Sequence, residues 1–147
     1  MIIVDIQDLQ DNFKIENDLL GHWAQQALMI LGRPDAELSV VLTDDPHIQE
    51  LNRTYLHRDR PTNVISFPQQ EGIGPEGTHL GDIVISVQRA QAEAADSGMS
   101  TMERIGQLLI HGICHLAGYN HEDVSEETTQ EMEDMEACIL KKLSEEG

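Results

Sequence analysis

Two cysteines, Cys114 and Cys138, are too few to build a disulfide framework, and a single bridge would be unusual in a domain of ordinary composition. No apolar run approaches the ~20 residues that span a bilayer, which excludes a transmembrane helix and leads us to expect no membrane partner. The N-terminal stretch MIIVDIQDLQ has no basic region followed by a long apolar segment, so no secretion signal is expected. A reduced, cytoplasmic protein is the matching expectation. Aromatics make up only 3% of the chain, so the core has to come from Leu, Ile, Val, Ala and Met. Positive charge is also scarce. Nine Lys and Arg face 27 Asp and Glu, a formal net charge of −18. That argues against non-specific nucleic-acid binding through overall charge, which needs local positive potential. The charge is unevenly spread, however. Ten acids against two lysines lie between Glu122 and Glu146, whereas Arg53, Arg58 and Arg60 fall within eight positions.

The 147 residues fit one domain, 1–147, able to bury roughly 68–70% of its unfolded surface. We find no repeat, low-complexity tract or linker. Ile2–Ile6 reads as a short strand. Leu20, Trp23, Ala24, Ala27, Leu28 and Leu31 recur at helical spacing, predicting a helix from about Glu16 to Leu31, with Gly32 and Pro34 as its stop. Leu38–Leu42 is a second strand. Asp45-Pro46 reads as an N-cap and first helical residue, with Ile48, Leu51 and Tyr55 on one stripe. Asn63–Phe67 is a strand ended by Pro68, and 69–80 is the longest irregular segment. Asp82–Val87 is an apolar strand, followed by a short helix, Gln88–Ser97. Ser100 and Glu103 form a capping-box pattern that opens a helix whose later part, Leu108–Ala117, is apolar on nearly every side except for two histidines. The last helix, about Ser125 to Leu143, turns Met132, Met135, Ile139 and Leu143 inward and its acids to water. The sum is an α+β domain: a small four-stranded mixed sheet, about five helices, and a metal site on a buried central helix.

That metal expectation rests on His111-Gly112-Ile113-Cys114-His115-Leu116-Ala117-Gly118-Tyr119-Asn120-His121. His111 and His115, four apart, share one face of a helix and are near enough to share an ion. A continued helix would place His121 roughly 15 Å along the axis from His111, at 1.5 Å per residue. Gly118 permits a left-handed stop that turns the chain back, so that His121 can add a third nitrogen. Three imidazoles plus an open position is the catalytic zinc pattern, although nickel or another divalent ion would accept the same donors. As ordinary polar filler, two unpaired imidazoles in an apolar helix would be costly. Cys114 lies between the histidines but is displaced around the helix, and reads as apolar packing. His22, His47, His57 and His79 read as solvent-exposed.

The zinc-peptidase pattern H-E-x-x-H-x-x-G-x-x-H matches at both helix histidines, the glycine and the last histidine. The position of its glutamate, the general base, is Gly112 here. A peptidase by that mechanism is therefore disfavoured. Metal activation alone remains, because zinc lowers the pKa of bound water toward ~7. A phosphodiester, whose own phosphate could assist proton transfer, is a plausible target.

HGICHLAGYNH resembles the H-G-x-x-H-L-x-G-Y-D-H signature of the YbeY family of rRNA maturation factors. Asn52-Arg53-Thr54-Tyr55 with Pro61-Thr62-Asn63-Val64-Ile65-Ser66-Phe67-Pro68 resembles a second family block, and Leu80-Gly81-Asp82-Ile83-Val84-Ile85 a third. The likeness covers roughly residues 38 to 140. It implies a single-strand-specific, metal-dependent endoribonuclease acting in 3′-end maturation of the small-subunit (16S) rRNA and in ribosome quality control. It implies one zinc ion held by His111, His115 and His121. The implied partners are ribosomal RNA, the small ribosomal subunit and its proteins, and an assembly GTPase. The family fold, a small mixed sheet with helices, agrees with the pattern above.

Two positions depart from the family. Leu56 stands where the family usually has an Arg that serves the RNA-binding cleft, which makes Arg53 and Arg58, with Arg60, the substitute candidates for substrate binding. Solvated surface charge is the alternative for each. Asn120 stands where the family usually has Asp, a carboxylate that would raise the basicity of a metal ligand. Leu56 and the −18 charge keep a second class open: a ribosome-assembly factor with a structural metal and little catalysis.

Overall fold

The structure is a computed structural model and describes residues 1–68, 79–117 and 126–145. Its elements run β1 (Ile3–Asp8), α1 (Asn17–Ile30), β2 (Glu37–Thr43), α2 (Asp45–Leu56), β3 (Val64–Pro68), β4 (His79–Ser86), α3 (Val87–Ser97), α4 (Thr101–Leu116) and α5 (Glu126–Glu145). The sheet order is β1-β2-β4-β3. The β1/β2 and β2/β4 pairs are parallel, and β3 joins β4 antiparallel at the edge. The expected α+β class, with five helices and a four-stranded mixed sheet, is what the described residues form.

Period-two alternation sorts the strands' side chains onto two faces. Leu38, Val40 and Leu42 of β2, with Ile83 and Ile85 of β4, enter the main core. They pack there with Leu20, Ala24, Ala27 and Leu28 of α1, and with Met132 and Ile139 of α5. The intervening Val41, Ile65, Phe67 and Val84 face the other way, under Ile48 and Leu51 of α2. So α1, α4 and α5 cover one face, and α2 covers the other. α4 is the central helix. It packs against α1, α3, α5, β3 and β4, and nine of its residues are buried. Its start is the expected capping box. Ser100 Oγ accepts from the Glu103 N–H at 3.1 Å, and Glu103 reaches back to the Ser100 N–H. Among the described residues, no helix is long and apolar enough to cross a membrane.

At three of the boundaries that differ from the sequence pattern, a specific contact or residue accounts for the difference. The cap of α2 is Asp44, not Asp45: the Asp44 carboxylate accepts from the His47 N–H at 3.1 Å. Asp45 is drawn away to Ser86 Oγ at 2.7 Å and to Arg89 at 3.1 Å. β4 starts at His79, inside the stretch read as irregular. His79 pairs with Glu37 of β2, and a bulge there shifts the register before Gly81 meets Leu38. Pro68 ends β3 from within, paired with Gly81. A proline lacking its N–H is tolerated at the end of an edge strand. The stop glycine Gly118 and the start of the last helix at Ser125 lie outside the described residues.

Gly81 is the tightest point of this edge. Its φ is +147°, and a Cβ there would stand 2.3 Å from the Phe67 carbonyl oxygen and 3.1 Å from Leu116 of α4. Gly81→Ala is therefore expected to destabilise the fold by about 1–3 kcal/mol, a fall in melting temperature on the order of 3–10 °C. Thermal unfolding followed by circular dichroism measures it, and an unchanged midpoint would contradict this account of the edge.

Candidate metal centre

α4 brings His111 and His115 onto one face, one turn apart. Their ring centroids lie 4.9 Å apart with the planes at 73°. The helix is amphipathic in an unusual sense: Leu108, Leu109, Ile110, Ile113 and Cys114 are buried around it, and the histidines open its one polar stripe. The His111 side chain is 39% exposed, so one side of its ring stays accessible. A cavity of about 430 Å³ lies beside it, between α4, α5 and the start of β3. The guanidinium in that cavity's wall, Arg104, is engaged by Glu93 at 3.0 Å and by Gln107 at 2.8 Å. Beyond His115 the helix end is held from another element. Arg33, just past α1, donates to the Ala117 carbonyl at 3.1 Å and puts positive charge at the negative end of the helix dipole.

His121, the third expected ligand, lies outside the described residues, as does Asn120. Among the described residues no group of three His, Cys, Asp or Glu side chains is arranged to hold a metal. The two histidines present fit zinc by donor type, because imidazole nitrogens on one helical face are borderline-soft ligands at the right spacing. Cys114 does not add sulfur to that set. It is fully buried, and burial, reinforced by the negative charge of Glu136, pushes its thiol up to about 12. The thiol therefore stays protonated, as expected of a packing residue.

The sequence pattern missed one residue here. The acids of the last helix were all expected to face water, but Glu136 turns inward. Its Oε1 lies 2.7 Å from His111 Nδ1, and its side chain is only 19% exposed. The signal was in the spacing: position 136 is four after Met132 and three before Ile139, on the same stripe as those two buried side chains. His79 also departs from its expected full exposure. It is half-buried at the start of β4, within 4.0 Å of Glu37 and 3.9 Å of Asp82.

The arginine candidates stand elsewhere. Arg53 is on α2 and Arg58 in the turn after it, and α2 covers the opposite face of the sheet from α4. Arg53 is exposed and paired with Glu50, which holds that carboxyl below its usual range. Only the edge strand separates the two sides. Phe67 meets the Tyr55 ring edge-on at 5.6 Å, whereas Ser66, next to it, faces Gly112 of α4.

Gly112 explains the absent glutamate. A Cβ at this position would lie 3.0 and 3.1 Å from two Ile83 carbons and 3.1 Å from Ser66 Oγ. The position points into the sheet, and Ile83 is fully buried. Restoring the peptidase glutamate by Gly112→Glu is expected to bury a carboxylate against an isoleucine and to cost at least about 3 kcal/mol. Chemical denaturation would measure that loss, with no gain of peptidase activity. A stable Gly112→Glu protein would contradict this packing.

Comparison with known proteins gives the family and the fold. The family model described as Endoribonuclease YbeY matches residues 5–144. The chain is 44% identical over 131 residues to the Endoribonuclease YbeY of Aquifex aeolicus, covering 89% of this chain and 86% of that one. It is 42% identical over 148 residues to that of Syntrophotalea carbinolica, covering 99% of each. It is 44% identical to that of Geobacter metallireducens, covering 98% and 97%. Among solved structures it is similar to the solution structure of TM1509 from Thermotoga maritima. The TM-score is 0.67 at 25% identity, over 99% of this chain and 91% of that one.

Proposed function

The chain belongs to the Endoribonuclease YbeY family, and we propose that it is a zinc-dependent, single-strand-specific endoribonuclease that matures the 3′ end of small-subunit (16S) rRNA and serves ribosome quality control. The observation that carries this reading is the histidine pair: two imidazoles one turn apart on a buried central helix, in a chain of this family. In this reading His111, His115 and His121 hold one zinc ion. Bound there, zinc would supply a Lewis acid for a phosphate and acidify a water. The chain's own contribution is orientation. Packing of α4 fixes where both rings point, and Arg33 anchors the helix end next to His115. The cavity beside His111 leaves space on its accessible side. α4 has no room for a side-chain base at position 112, which separates this chemistry from that of the zinc peptidases. Ribosomal RNA, small-subunit proteins and an assembly GTPase are the partners this role requires, with the cytoplasm as its location.

A second reading is an assembly factor in which the metal is structural. The engagement of Arg53 by Glu50, across the sheet from the histidines, favours it, as does the net charge of −18. Metal analysis and a cleavage assay on single-stranded RNA separate the two. The wild type is expected to hold one zinc per chain and to cut single-stranded but not double-stranded RNA, with activity lost on chelation. His111→Ala and His115→Ala should lose both metal and cleavage to background. Cleavage that survives His115→Ala would defeat the nuclease reading, and metal retained by a wild type that cuts nothing would favour the assembly factor.

A further inference from the structure

We propose that Glu136 is the positioning residue of His111: reaching across from α5, it fixes the proton on Nδ1 and presents Nε2 to the metal. The inference rests on the zinc reading above. A carboxylate only accepts hydrogen bonds, so at 2.7 Å from Glu136 Oε1 the Nδ1 carries the proton. In a neutral imidazole the other nitrogen then holds the lone pair, and which ring nitrogen meets a metal is set by the bond that its opposite makes. The contact is charge-assisted and mostly shielded from solvent, with Glu136 19% exposed. Its geometry is fixed from both sides. His111 is on α4, and Glu136 sits between Met132 and Ile139, whose burial seats α5 against the core. The field of this carboxylate reaches inside the helix, where it adds to the rise of the Cys114 thiol. Glu136 supplies His111 with a carboxylate from a different helix.

A different role for Glu136 would be to tie α5 to α4 and nothing more. The two roles differ in the metal-free protein. Imidazole nitrogen–proton correlation spectra of the wild type are expected to show His111 as the Nδ1–H tautomer, and Nε2–H there overturns the proposal without any variant. Zinc affinity, measured by competition with a chromophoric chelator, is expected to fall about 10–100-fold in Glu136→Ala. In Glu136→Gln, whose amide oxygen still accepts from Nδ1–H, the loss should be smaller. Melting of the metal-free variants gives the purely structural effect. A lowered melting temperature with unchanged zinc affinity and tautomer would make Glu136 a helix tie and overturn the proposal. If Glu136→Ala does not fold, the wild-type tautomer and the Glu136→Gln affinity carry the test, and Glu136→Gln binding more weakly than the 100-fold bound would also overturn it. A wild type that binds no zinc overturns the metal reading and this proposal together, whereas wild type and Glu136→Ala binding zinc equally tightly overturns the proposal alone.

Discussion

Helix α4 meets the sheet at a residue with no side chain. At Gly112 the helix backbone comes so close to Ile83 and Ser66 that an added Cβ would lie 3.0–3.1 Å from both. This approach sets the depth of the whole helix. With Gly112 against the sheet, Ile113 and Leu109 are forced into the core, and the two histidines are left on the flank that α5 borders. Gly81 repeats the device at the helix's other end, where Leu116 closes on the edge of β4. Two glycines in different elements thus fix the position of one helix from below, and the capping box at Ser100 and the arginine at Ala117 fix it lengthwise.

The arrangement divides the molecule electrostatically. The flank that carries the histidines is bordered by an acidic helix, and the clustered arginines stand on the other face of the sheet. There they are interleaved with acids: Glu50 takes Arg53, and Asp59 accepts from Gln49 at 3.0 Å. A polyanion approaching the histidines would meet little bulk attraction. A basic field is therefore not what this side offers to such a ligand.

Most of the fold was legible because its signals are local and redundant. The apolar stripe of α1, the capping box of α4 and the alternation in β2 each predict an element without reference to the rest. The errors fall where a tertiary contact decides. Asp44 outcompetes Asp45 as a cap only because Ser86 and Arg89, some forty residues away, claim the Asp45 carboxylate. β4 begins early because Glu37 is there to pair with it. In the site, the spacing of His111 and His115 was readable, since four residues on a helix leave one geometry. Glu136 was not recognised, since an acid in an acidic helix looks like solvated surface until the two hydrophobic neighbours on its stripe are weighed. The closing of the ligand set through Gly118 and His121 lies outside the described residues, and Arg53 and Arg58 were brought near each other in sequence but not to the histidines.

The burial of Cys114 has a consequence for the durability of such a site. Oxidants and electrophiles attack thiolates, and susceptibility follows thiolate character and exposure. A sulfur one turn-fraction away from two imidazoles proposed to hold a metal would ordinarily be the weak point, open to sulfenic acid formation or to capture of softer ions such as copper(I). Here the sulfur is fully enclosed and its proton is held up to about 12 by burial and by a neighbouring carboxylate. The same enclosure that makes Cys114 useful as filler keeps this sulfur from reacting beside the histidine pair, a protection that Cys138, exposed on α5, does not share.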